Sequence, residues 1–127
     1  MAQGRKLICA IIRLPVEYNA DAQGARRPVE DEKFIETARE IAAQFGGGTL
    51  FRWEEGKPTG FWWGNGVLYD DDLAAVEVDV PDTEESRIWL RRYARNVLMA
   101  RFEQEAIYIK PVGPIEQMIV EKEEIRK

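Results

Sequence analysis

Residues 73–81 read LAAVEVDVP, and their alternation constrains this chain more than any other stretch. Successive side chains of a strand point to opposite faces, so Val76, Val78 and Val80 share one face and Ala75, Glu77 and Asp79 the other. Such a strand belongs to a sheet with one apolar face against a core. Its polar face must meet water or a partner.

The rest of the chain supplies what covers the apolar face. KLICAIIRLPV (6–16) is rich in β-branched residues and stops at a proline, and it reads as a central strand buried on both faces near its middle. Residues 17–28 have no period and carry turn residues, which predicts a long loop, either mobile or functional. Phe34, Ile35, Ala38, Ile41, Ala42 and Phe45 then form one stripe of an amphipathic helix. Acidic residues at Glu30, Asp31 and Glu32 suit its positive N-terminal end, and Gly46 to Gly48 stop it. TLFRWEE (49–55) alternates as a strand, and residues 61–72 are either a second short strand or a wide loop with a hairpin turn at GNG. A second helix over 82–102 is capped by Asp82 or Thr83 and buries Leu90, Ala94, Val97, Leu98 and Phe102, with Trp89 and Tyr93 on its flank. EAIYIKPV (105–112) is a strand, Gly113-Pro114 reads as a turn, and residues 115–121 offer a further strand.

Two helices that each follow a strand suit right-handed crossovers onto one side of a sheet. The expected fold is α+β: a ferredoxin-like βαββαβ sandwich, with an antiparallel sheet and both helices on one face. An extended hairpin spans 49–72 and an extra C-terminal strand lies at the edge. Residues 1–121 form a single domain and 122–127 a solvated tail.

The chain has no histidine, which removes Ser-His-Asp and Cys-His nucleophile systems and the usual zinc sites. Cys9 is the only cysteine, so no disulfide forms within the chain; it sits in an apolar run and reads as buried and inert. A net charge of −5 argues against broad nucleic-acid or anionic-membrane binding. LICAII is too short to span a membrane and lacks a signal-cleavage pattern, so a cytoplasmic location is expected.

Between Phe45 and Asp72 lie seven of the ten glycines and three of the four tryptophans. Trp53, Phe61, Trp62, Trp63 and Tyr69 either lock a long hairpin over the end of the core or form an interface or ligand surface. Glu77, Asp79 and Lys110 make the uncovered sheet face partly polar, and Tyr108 with its neighbours adds apolar area. Asp70 to Asp72 form an acidic run in which Asp70 and Asp72 are candidate ligands for a hard cation, yet the spacing fits no calcium loop. Arg87, Arg91 and Arg95 recur every four residues and either bind a phosphate backbone or pair with nearby glutamates. Gln104 and Glu105 fall where helix meets strand. They approach Gly46 to Thr49 if both helix-to-strand junctions lie at one end of the sheet, where they would bond backbone N–H groups or hold a small polar ligand.

Phe45-Gly46-Gly47-Gly48-Thr49, the Gly66–Tyr69 segment, the strand at 73–80 and Phe102-Glu103-Gln104-Glu105-Ala106-Ile107-Tyr108-Ile109 together resemble a group of small uncharacterised prokaryotic proteins. These carry an F-G-G-x-T step, a Trp-Gly hairpin and a terminal F-x-Q-E-A-(V/I)-Y-I strand. The resemblance spans about residues 30 to 110. It implies the ferredoxin-like arrangement and brings no activity or catalytic residues with it.

The expected function is a noncatalytic ligand-binding or protein-interaction module, homodimeric through the open sheet face or an edge strand, with no cofactor. Two alternatives stand beside it. One is a divalent-metal phosphodiesterase or nuclease, for which small CRISPR-associated nucleases place an Asp just after the first strand; this chain offers Glu17 there, beyond a proline. The other is a single-stranded nucleic-acid binder using Trp62, Trp63 and the arginines.

Overall fold

Every second residue of β1 (Leu7–Pro15) is buried: Ile8, Ala10, Ile12 and Leu14 are sealed, while Leu7, Cys9, Ile11 and Arg13 are half-buried. The strand is therefore covered on one face only, not on both as its β-branched run suggests. The protein is described by a computed structural model covering residues 6–52, 59–64 and 67–122, with backbone alone for 59–64 and 67–71. β4 (Val67–Pro81) lies antiparallel to β1, from Leu7 opposite Pro81 to Pro15 opposite Leu73. Its even-numbered residues Ala74, Val76, Val78 and Val80 are buried beside those of β1.

Two helical segments supply the other half of the core. From α1 (Asp31–Phe45) come Phe34, Thr37 and Ile41. Ile35 is instead 42% exposed, so the buried stripe is centred on Thr37. Gly46 ends the helix in the left-handed conformation (φ 95°), its N–H donating to the Ala42 carbonyl at 2.7 Å. α2 (Glu84–Tyr93) begins at Thr83, whose hydroxyl accepts from the Ser86 N–H at 3.1 Å. It continues through a π-helical stretch, Ala94–Leu98, into a last turn, α3 (Met99–Arg101). The widening has a reason in the sequence. Leu90, Ala94, Leu98 and Phe102 are spaced by four, and at 3.6 residues per turn that spacing drifts about 40° per step. A wider turn absorbs the drift and keeps all four on the core. Each is 5% exposed or less. Phe102 meets Phe34 with ring centroids 5.4 Å apart, and Trp89 stacks on Tyr93 at 4.7 Å and meets Phe45 edge-on at 5.2 Å.

The helices are also joined by polar contacts. Arg101 donates to Thr37 Oγ1 and Glu40 Oε1 at 2.8 Å each and to Glu40 Oε2 at 3.2 Å. Tyr93 donates to Glu40 Oε1 at 2.6 Å. The fork of Arg101 holds the Glu40 carboxyl below the usual carboxylate range, and burial pushes the Tyr93 phenol up.

The sheet is antiparallel throughout, in the order β2-β4-β1-β5, with β3 paired to β4. β2 (Thr49–Phe51) and β3 (Thr59–Gly64) both run antiparallel to β4, and the pairing of Gly64 with Val67 closes the expected extended hairpin. β5 (Tyr108–Ile115) pairs with β1. The architecture is α+β, an antiparallel sheet with two helices, and is compatible with a ferredoxin-like sandwich.

Two expectations at the C-terminus fail together. Gly113-Pro114 is not a turn, because β5 runs through it to Ile115, and 116–121 form no further strand. An edge strand tolerates proline on its free side, so the Pro was a poor stop signal. The loop at 17–28 is ordered. Tyr18 N–H donates to Arg27 O at 2.8 Å, Val29 N–H donates to Val16 O at 2.9 Å, and Asp21 Oδ1 accepts from the N–H groups of Gln23 and Ala25. Tyr18 is buried beneath it, bonded to Glu30 and Lys33, with the Arg27 guanidinium 4.2 Å above its ring.

Candidate functional site

Cys9, Ile11 and Arg13 of β1, Ala75, Glu77 and Asp79 of β4, and Tyr108, Lys110 and Val112 of β5 share the face that the helices leave open. The register arranges them in rows. Phe51, Ala75, Arg13 and Tyr108 form one; Thr49, Glu77, Ile11 and Lys110 form the next; Asp79, Cys9 and Val112 form a third. Phe51, Tyr108 and Val112 are exposed by 37%, 54% and 41%, high values for large apolar side chains within strands. The Arg13 guanidinium lies 4.7 Å over the Tyr108 ring. Cys9 is half-buried on this open face, not sealed in the core, with its Sγ 3.9 Å from Glu77 Oε1. Burial and then the carboxylates of Glu77 and Asp79 raise its thiol pKa, which lowers its thiolate fraction and slows its reactions relative to a free cysteine.

The face has a polar margin. A cleft of about 420 Å³ lies between Gly46–Thr49 and the side chains of Glu77, Asp79 and Gln117. Gln117, just past β5, donates to Asp79 Oδ2 at 2.9 Å and ties the C-terminal segment to the cleft. Gly48 is required there, since a Cβ on it would sit 2.9 Å from the Glu77 carbonyl oxygen. Beyond Gln117, Met118, Ile119 and Val120 are each about four-fifths exposed.

The sequence-predicted residues divide into three groups. Tyr108, Glu77, Asp79 and Lys110 come together on the open face. Gln104 and Glu105 do not reach Gly46 to Thr49. The chain enters β2 from the Asp79 end and β5 from the Arg13 end, so the two helix-to-strand junctions lie at opposite ends of the sheet. Gln104 Nε2 instead donates to Phe102 O at 3.2 Å and Asn19 Oδ1 at 3.4 Å, beside the folded loop. Trp53 lies outside the described residues. Phe61, Trp62, Trp63 and Tyr69 are placed by backbone alone, with Trp62 opposite Tyr69, and their side chains lie outside the described residues, as does that of Asp70. Asp72 is exposed at the base of the hairpin. Among the described residues no group of three Cys, Asp or Glu side chains is placed to hold a metal ion.

The arginine strip is largely committed. Arg87 pairs with Asp82 at 2.8 Å and Arg91 with Glu84 at 3.4 Å, which is the ion-pair alternative; Arg95 is exposed. Sequence reasoning missed Ile11, Arg13 and Gln117. The first two were legible from the alternation of β1 once the β-branched residues were set aside, whereas nothing local marks Gln117. Among the described residues no helix is long and apolar enough to cross a membrane. The chain matches no family model, and no curated protein matches it.

Proposed function

We propose that the protein is a noncatalytic, cytoplasmic interaction module of ferredoxin-like type that works as a homodimer through its open sheet face. The observation that carries this reading is the face itself. Exposed Phe51, Tyr108 and Val112 surround half-buried Ile11, Cys9 and Ala75, and charges of both signs lie among them. An isologous interface must be self-complementary, and a face holding both Glu77 and Asp79 and both Arg13 and Lys110 meets that demand. The sheet edges serve poorly by comparison. β5 carries Pro111 and Pro114, which lack donors, and β2 has only three residues. The cleft at Gly46–Thr49 supports a second, compatible role, the holding of a small polar ligand at the margin of the dimer.

Light scattering over a wide concentration range tests the assembly. The wild-type chain should report a dimer, and Ile11→Asp, which puts a charge at the centre of the face, should report a folded monomer. A wild-type monomer at the highest concentration would refute the reading.

A further inference from the structure

We infer that the second copy packs on the open face about a two-fold axis running along β1, between the two sheets, so that Glu77 of each copy meets Lys110 of the other. This rests on the homodimer reading above and gives it a specific geometry. Two sheets laid face to face with their strands roughly aligned can be related by a two-fold across the strands or along them. The crosswise axis lays every strand on its own copy. The acidic column of β4, Glu77 and Asp79, then faces the same column, while Lys110 and Arg13 fall on the β5 and β1 columns of the other copy, which hold no carboxylate, so like charges oppose on β4 and no ion pair forms.

The lengthwise axis exchanges strands on either side of it. Placed on β1, it swaps β4 with β5 row by row, because the register sets both against the same β1 residues: Glu77 and Lys110 flank Ile11, Ala75 and Tyr108 flank Arg13, and Asp79 and Val112 flank Cys9. Glu77 thus lies over Lys110 of the second copy, twice per dimer, with Ile11 and Cys9 at the axis. Shifted to lie between β4 and β1, the axis would set Glu77 on Ile11 and Lys110 on Thr49, burying both charges without a partner. Among the charged residues of these rows, Arg13 is the one that the β1 axis brings toward its own copy. Its guanidinium is drawn off the axis onto the Tyr108 ring, and the two-fold sends the two arginines to opposite sides.

Charge exchange tests the geometry. Glu77→Lys gives a chain with lysine at both interface positions, and Lys110→Glu gives one with glutamate at both. Each alone should dimerise at least about tenfold more weakly than the wild type. Mixed in equal amounts they should form a one-to-one heterodimer, since each lysine of one chain then meets a glutamate of the other. With one of the two chains uniformly labelled with 15N, native mass spectrometry separates the three species by mass. If the wild type dimerises but the single variants do so equally well, or the mixture yields no preferred heterodimer, this axis is wrong while the dimer stands. If the wild type is monomeric, the dimer and the axis fall together. Should Glu77→Lys not fold, Glu77→Gln and Lys110→Gln decide the matter. Their double variant should lose no more affinity than either single one, and additive losses would overturn the pairing.

Discussion

The two faces of the sheet are made from alternate residues of the same strands, yet they are finished differently. On the helix side Ile8, Ala10, Ile12, Leu14, Val76, Val78 and Val80 are sealed by α1 and the helix that follows β4. On the other side their immediate neighbours Cys9, Ile11, Arg13, Glu77 and Asp79 remain half-buried. Backbone, strand order and register are common to both. The difference is therefore one of cover: one face is sealed by the helices of its own chain, and the other is not; the proposed dimer would supply the second cover.

The sharpest way to break this comparison is to mutate adjacent residues. Ile12→Ala should cost about 2–5 kcal/mol in urea unfolding, because a sealed side chain leaves a cavity. A loss near zero would mean that the helix-side core is not close-packed. Arg101→Ala should cost roughly 1–3 kcal/mol, since it removes the donor shared by Glu40 and Thr37. The same network gives the covered face an acid sensitivity. Glu40 has a lowered folded-state pKa, so its contribution is present above the ordinary carboxylate value near 4.5 and is lost as pH falls through the lower folded value. Glu40→Gln should flatten the fall in melting temperature between pH 5 and pH 2, taken here as roughly the acid range of carboxylates. An unchanged slope would place the sensitivity elsewhere. Thr83→Ala should cost about 1 kcal/mol through loss of the cap on α2, visible as a shift in the urea midpoint. Ile11→Ala should be the mildest, at about 1 kcal/mol or less in the isolated monomer, while weakening the dimer; a monomer penalty matching that of Ile12→Ala would erase the distinction between the faces.

Much of this fold was legible because local signals agreed with the tertiary outcome. The stop at Gly46 and the cap at Thr83 report backbone requirements that no packing has to supply, and the alternation at 73–81 agrees with the face that the core buries. The open face was legible in β4, where Glu77 and Asp79 mark it, and hidden in β1, where Cys9 and Ile11 are as apolar as their buried neighbours. Pro114 misled because proline forbids a donor, not a strand, and on an edge the donor is dispensable. The π turn left a trace in the four-residue spacing of Leu90, Ala94, Leu98 and Phe102. The opposite placement of Gln104 and Gly48 followed from topology, which short motifs do not encode.

Cys9 offers the most direct measurement of whether a second chain covers the open face, because it is the chain's only thiol and lies within that face. Its rate of alkylation by a small maleimide can be followed at fixed pH as protein concentration is raised. The account predicts that the rate falls as dimer forms and that Ile11→Asp abolishes the fall. A rate independent of concentration over the whole range would contradict it.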